Sequence, residues 1–145
     1  MFLGSHDHVL DEKGRTSLPK PFRESLREQE GEPWLTALPK CLTLFPAAVF
    51  EALAHKLIEA SSIIEEIQAL QGLILGKAVR SAIDRQGRIL IPRRLREWAT
   101  LDREIVFVGV GKRIDIWNPA RLDAGLEPWK LSHSSYTAIL KDFNL

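Results

Sequence analysis

The chain has 145 residues, 45% of them hydrophobic, a net charge of +1 and one cysteine. It is long and apolar enough to bury a core, which argues against disorder, and Cys41 alone excludes an internal disulfide or a Cys-based zinc site. No stretch reaches the ~18 apolar residues of a membrane span and the N-terminus lacks the pattern of a signal peptide, so a soluble cytoplasmic protein without a membrane partner is expected.

In chain order, residues 8–10 read as a strand entering Asp11-Glu12-Lys13-Gly14-Arg15-Thr16-Ser17-Leu18-Pro19, with residues 16–18 as the strand that leaves it. Pro19 stops pairing, and a short helix follows over residues 19–26, with Phe22 and Leu26 four apart. Residues 34–38 and 41–45 predict a strand pair across Pro39-Lys40, with Cys41 a small apolar strand residue. Residues 47–75 carry apolar stripes at helical spacing, Phe50, Leu53, Leu57, Ile58 and then Ile63, Ile64, Ile67, Leu70, with Ser61-Ser62 as a break and new cap. Strands at 79–83, 88–91, 105–110 and 113–117 and a helix at 93–98 repeat the earlier order. Asn118-Pro119 caps a helix over 119–130, and a last helix covers 134–143.

The order repeats because the sequence does. Asp-x-x-Gly-Arg-x-x-x-Pro recurs at Asp84-Arg85-Gln86-Gly87-Arg88-Ile89-Leu90-Ile91-Pro92, 73 residues after its first copy. Four fixed positions recur by chance in a chain this long about once in a thousand. Phe22-Arg23 aligns with Leu95-Arg96, and residues 42–45 align with 114–117. Two homologous halves packed as a pseudo-dimer are therefore expected, divided as residues 1–47, a helical linker 48–75, residues 76–121 and a C-terminal helical segment 122–145.

Gly14 and Gly87 supply the positive φ that a loop between two strands needs, Asp11 and Asp84 can fold back onto turn amides, and Pro19 and Pro92 end the outgoing strands. Nothing about a turn requires the arginine beside the glycine. Arg15 and Arg88 either pair with an Asp of a motif or reach outward to phosphates and guanine edges. The second reading gains from Lys13, Arg85, Arg93 and Arg94, which crowd the same loops. Residues 76–98 alone carry +5, seven Lys or Arg against Asp84 and Glu97. That local excess is the footprint of a phosphate-rich partner, hidden by the near-neutral total.

These motifs resemble the MraZ family of transcriptional regulators, which carry two tandem SpoVT/AbrB-like domains. The resemblance runs from Met1-Phe2 and Gly4 through Asp11, Lys13-Gly14-Arg15, Pro19, Phe22-Arg23 and Leu44-Phe45-Pro46. It continues through Asp84, residues 86–92, Val108-Gly109, Gly111 and Ile116-Trp117. It implies an α+β fold, a duplicated AbrB-like swapped-hairpin β-barrel with linker and C-terminal helices. It also implies a nucleoid-associated regulator that binds tandem repeats in double-stranded DNA upstream of the division and cell-wall gene cluster, assembled as a ring of eight or more chains. The family's DNA-facing arginines carry over to Arg15 and Arg88, with Lys13 alongside. The chain departs from the family pattern with the acidic Ile63-Ile64-Glu65-Glu66 in its linker and with Arg80 and Ala82 before the second motif, a shift of charge toward the second loop.

Other readings are weaker. An AbrB-type antitoxin or global regulator shares the motif but usually has one copy and a disordered tail. An aspartate-dyad hydrolase would need Asp11 and Asp84 to share a proton, whereas the adjacent arginines hold both ionised, so no enzyme is expected. His6 and His8 share one side of a strand, yet a solvated strand end accounts for them without a metal or cofactor. Trp98, Trp117 and Trp129 sit at element ends and read as packing residues rather than base-stacking platforms. Phe50, Leu57, Ile64, Ile67, Trp129 and Phe143 exceed what a small core needs and are expected to contribute to contacts between chains.

Overall fold

The structure is a computed structural model that describes residues 1–127, 130 and 134–145. Its elements are β1 (Phe2–Val9), β2 (Arg15–Ser17), α1 (Lys20–Arg27), β3 (Trp34–Ala37), β4 (Leu42–Phe45), α2 (Ala47–Glu59) and α3 (Glu65–Leu70), which runs into a π-helical turn at Gln71–Leu75. There follow β5 (Val79–Arg80), β6 (Arg88–Leu90), α4 (Arg93–Trp98), β7 (Glu104–Gly111), β8 (Ile114–Trp117), α5 (Pro119–Gly125) and α6 (Ser134–Asp142). The fold is α+β. Six strands form one antiparallel sheet in the order β1-β7-β8-β4-β3-β5, and β2 with β6 makes a separate two-stranded ribbon.

Strands from around the two motifs interleave in the main sheet. β1 pairs with β7 from Phe2↔Gly111 to Val9↔Glu104, β4 pairs with β8, and β3 takes β5 as its outer neighbour. Inward side chains of both halves therefore meet in one core, in which Phe22, Leu35, Leu44, Ile91, Phe107 and Ile116 are almost wholly buried. A smaller cluster of Phe45, Phe50 and Ile74 sits under the linker, with Trp34 stacked on Phe50 at 4.9 Å. Phe50 thus belongs to the core rather than to a surface held for another chain, and Leu57 and Ile67 are half-buried. Ile64 and Phe143 remain exposed, while Trp129 lies outside the described residues.

Pro19 and Pro92 each end a strand and open a helix, and α1 buries the Phe22 and Leu26 face that its spacing predicts. Asn118 Oδ1 caps α5, accepting from Ala120 N at 2.9 Å and Arg121 N at 3.3 Å. That helix stops at Gly125 instead of continuing toward residue 130. β1 is much longer than expected. Gly4-Ser5-His6-Asp7 lacks the apolar alternation of a strand, but pairing with β7 satisfies its backbone. His6 and His8 then lie edge-on against Phe22 and Phe107, with ring centroids 5.1 Å and 5.3 Å apart. They are half-buried lids on the core and not a solvated strand end.

The Ser61-Ser62 cap is also absent. α3 starts after Ile64 without a side-chain cap, and Gln71 instead closes α2, donating from Nε2 to Leu57 O at 2.7 Å and Ala60 O at 3.3 Å. β5 is only two residues long: Ser81 N still donates to Pro33 O, the next position in register, but Pro33 has no N–H to return the bond and the ladder ends there. Arg80 faces the linker: it lies 4.4 Å from the Trp34 ring, donates to Glu32 O at 3.0 Å and approaches Glu51 at 3.9 Å. Its charge serves the α2 junction and not the second loop. Among the described residues, no helix is long and apolar enough to cross a membrane.

The shared core makes a prediction. Phe107→Ala should cost about 3–5 kcal/mol, the range for deleting a large buried aromatic. Wild-type unfolding should be one transition with coincident near- and far-ultraviolet circular dichroism. Two separated transitions would show that the halves are independent.

Candidate nucleic-acid interface

Each motif builds the same turn. Asp11 Oδ1 accepts from Lys13 N and Arg15 N, both at 2.9 Å, while Oδ2 accepts from Arg15 Nε at 3.1 Å. Seventy-three residues later, Asp84 Oδ1 accepts from Gln86 N at 2.8 Å and Arg88 N at 2.9 Å, and Oδ2 from Arg88 Nε at 2.9 Å. The backbone amides, followed by the arginine side chains, hold both carboxyls below the usual carboxylate range. Each aspartate is thus tied to its own arginine and ionised, the opposite of a proton-sharing dyad.

The two turns face each other across the ribbon. Arg15 pairs with Leu90, Thr16 with Ile89 and Ser17 with Arg88, a register that maps onto itself when the motifs are exchanged. Outside it, Ile91 N donates to Gly14 O at 2.8 Å and Leu18 N to Gly87 O at 2.9 Å. Strand alternation buries Thr16 and Ile89 and leaves Arg15, Ser17, Arg88 and Leu90 on the outer face. The two arginine side chains are 37% and 33% exposed, and among the described residues their guanidinium hydrogen bonds inside the chain use only Nε. The paired and outward readings of these arginines are therefore compatible: one edge of each guanidinium grips its aspartate, and the Nη edge stays open.

Lys13 and Arg85 are exposed at the loop tips, at motif positions one apart. Arg93 is drawn into a pair with Glu97 at 2.9 Å, matched in the first half by Lys20 and Glu24 at 4.0 Å. Arg94 is exposed beside it. Two further arginines belong to the site and were not singled out as site residues from sequence. A Cβ on Gly87 would meet Arg23 Cδ and Nη1 at 2.5 Å, and one on Gly14 would meet Arg96 Nε and Cζ at 2.9 Å. Each helix therefore sends an arginine under the opposite half's loop, and Arg96 Nε donates to Ile91 O at 3.0 Å. Their alignment as Phe22-Arg23 and Leu95-Arg96 was the available signal. A cleft of about 680 Å³ opens beside the first loop, where Arg15, Arg88, Arg96 and Arg103 meet Asp11 and Asp102. Among the described residues, no group of three or more His, Cys, Asp or Glu is placed to hold a metal ion.

The glycines separate two costs. Gly14 and Gly87 have φ of 84° and 77°, so alanine at either position should destabilise by about 1–3 kcal/mol from backbone strain. A Cβ at position 14 also strikes a backbone atom, Ile91 O at 2.7 Å, whereas at 87 its three nearest contacts all belong to the Arg23 side chain. Gly14→Ala should therefore melt below Gly87→Ala in thermal denaturation. Equal melting temperatures, or the reverse order, would show that the cross-half carbonyl contact does not limit the loop.

Comparison with known proteins agrees with this doubled geometry. A family profile described as "MraZ protein, putative antitoxin-like" matches residues 1–72 and 74–140, one motif in each segment. The protein named Transcriptional regulator MraZ from Methylococcus capsulatus is 38% identical over 131 residues, covering 89% of this chain and 86% of its own. The one from Roseiflexus castenholzii is 40% identical over 121 residues, 83% of each chain. The one from Pediococcus pentosaceus is 34% identical over 145 residues, the whole of both. The chain belongs to the MraZ family.

Proposed function

We propose that this protein is a sequence-specific, DNA-binding transcriptional regulator that reads short tandem promoter repeats through the outer face of the β2–β6 ribbon. The observation that carries this reading is the pair of self-symmetric turns, each presenting a rigid, half-exposed arginine, with Lys13 and Arg85 at the tips. A guanidinium held by an aspartate has lost part of its conformational freedom before DNA arrives, which suits bidentate contact with guanine or phosphate. The names of the relatives support transcriptional regulation.

The interleaving of strands supports reading residues 1–47 and 76–121 as two AbrB-like halves in a swapped-hairpin pseudo-dimer, with 48–75 as linker and 122–145 as a C-terminal segment. The target is the division and cell-wall gene cluster, reached in the cytoplasm at the nucleoid. Two turns per chain give weak attachment, and a ring of eight or more chains would convert it into avidity on repeated sites. The exposed Ile58, Ile63 and Ile64 at the linker tip are apolar surface available for such assembly.

If Lys13, Arg15, Arg85 and Arg88 each neutralise one phosphate, log affinity should fall with log salt at about −3.6 per chain, from about −0.9 per contact. Arg15→Ala or Arg88→Ala should weaken binding and flatten the slope by about 0.9 while thermal stability stays near wild type, since an exposed ion pair contributes at most about 1 kcal/mol. A salt-independent affinity, or a variant that unfolds, contradicts the assignment.

A further inference from the structure

Every residue from 134 to 145 is exposed, and α6 buries none of its nine residues. An isolated helix of that length is marginal in water, so a helix here calls for a surface to lie on. The sequence marks the face that needs covering. Tyr136, Ile139 and Leu140, continued by Phe143 just past the helix end, fall at i, i+3, i+4 and i+7 and form one stripe, 41–69% exposed. At 100° per residue Asp142 flanks that stripe, while Lys141 lies on the far side.

A receptor of matching character is open elsewhere on the same chain. Between α2 and the β7–β8 turn runs a groove of about 640 Å³, floored by Phe45, Val49, Leu53 and Ile74 and rimmed by Lys56 and Lys112. Neither lysine has an ion-pair partner among the described residues. Basic rims suit the end of α6, where Asp142 joins the negative pole of the helix dipole. Groove and helix stand uncovered in one and the same chain, so each is available to a second copy.

We propose that α6 of one chain docks, stripe down, in the groove between α2 and the β7–β8 turn of a second copy. The contact is heterologous, because donor and receptor surfaces differ; each chain gives one helix and receives one, and repetition closes a ring when the rotation permits. This rests on the ring assembly above and assigns its contact.

Two variants of the full chain test it by size-exclusion chromatography with light scattering at micromolar concentration. Leu140→Asp spoils the stripe and Ala52→Glu obstructs the groove. Both positions are solvent-exposed, and the carboxylate introduced by Ala52→Glu would stand four residues before Lys56 on the helix, so both folds should persist, as circular dichroism melting checks. Each variant alone should fall from the wild-type assembly toward the 16.4 kDa single chain. Mixed one to one, they should form pairs and nothing larger, because one intact helix meets one intact groove and the chain of contacts ends there. Folded variants that keep the wild-type mass, or that gain no pairs on mixing, overturn the docking while leaving the ring standing. A wild-type protein that is itself a single chain overturns both.

Discussion

The carbonyls of Gly14 and Gly87 each accept a hydrogen bond from the strand leaving the opposite motif, Ile91 N at 2.8 Å and Leu18 N at 2.9 Å. Each loop is braced by the other. A glycine is needed because a Cβ there would intrude on Ile91 O on one side and on Arg23 on the other, at a φ that side chains seldom adopt. The aspartate then fastens each turn from within, and the arginine that completes the turn is delivered to the outer face in a fixed pose. The same exchange recurs in the main sheet, where β1 pairs with β7 and β5 with β3.

Magnitudes explain how one arginine can both close a turn and meet a ligand. An exposed Arg–Asp pair contributes about 0–1 kcal/mol, whereas a good bidentate contact to a base discriminates by about 1–3 kcal/mol. Keeping Nε on the aspartate while offering the Nη edge sacrifices nothing, and letting go altogether costs little. The halves are not equivalent electrically. The tip position that holds Glu12 in the first motif holds Arg85 in the second, and Pro21 corresponds to Arg94. Ser17 and Leu90 occupy matching places on the ribbon face, so one half presents a hydroxyl where the other presents an aliphatic side chain suited to a thymine methyl. On the proposed function, that difference would let a pseudo-symmetric surface read an asymmetric site.

The turns were legible in the sequence because their chemistry is local. Asp, Gly and Pro at fixed offsets dictate one backbone path, and Asn118-Pro119 marks a helix start for the same reason. The limits of α4, residues 93–98, followed from the repeat, which sets a helix after Pro92 as one follows Pro19. What escaped was tertiary. Residues 2–7 form a strand because β7 supplies partners, and His6 and His8 cover Phe22 and Phe107 although their type suggested solvent. Arg23 and Arg96 matter through the opposite half's loop, a relation that no spacing within one motif encodes. Gln71 closing α2 and Arg80 bracing Trp34 likewise depend on contacts made only after the linker folds back.

A surface built from two interlocked turns should respond to its ligand as one unit. Hydrogen–deuterium exchange of the full-length protein, read by mass spectrometry with and without duplex DNA bearing its repeats, tests that directly. Slowed exchange in peptides covering residues 11–19 and 84–92 together, at the same DNA concentration, is the expected result. Bound DNA that protects only one of those segments, or only the linker helices, would contradict the account.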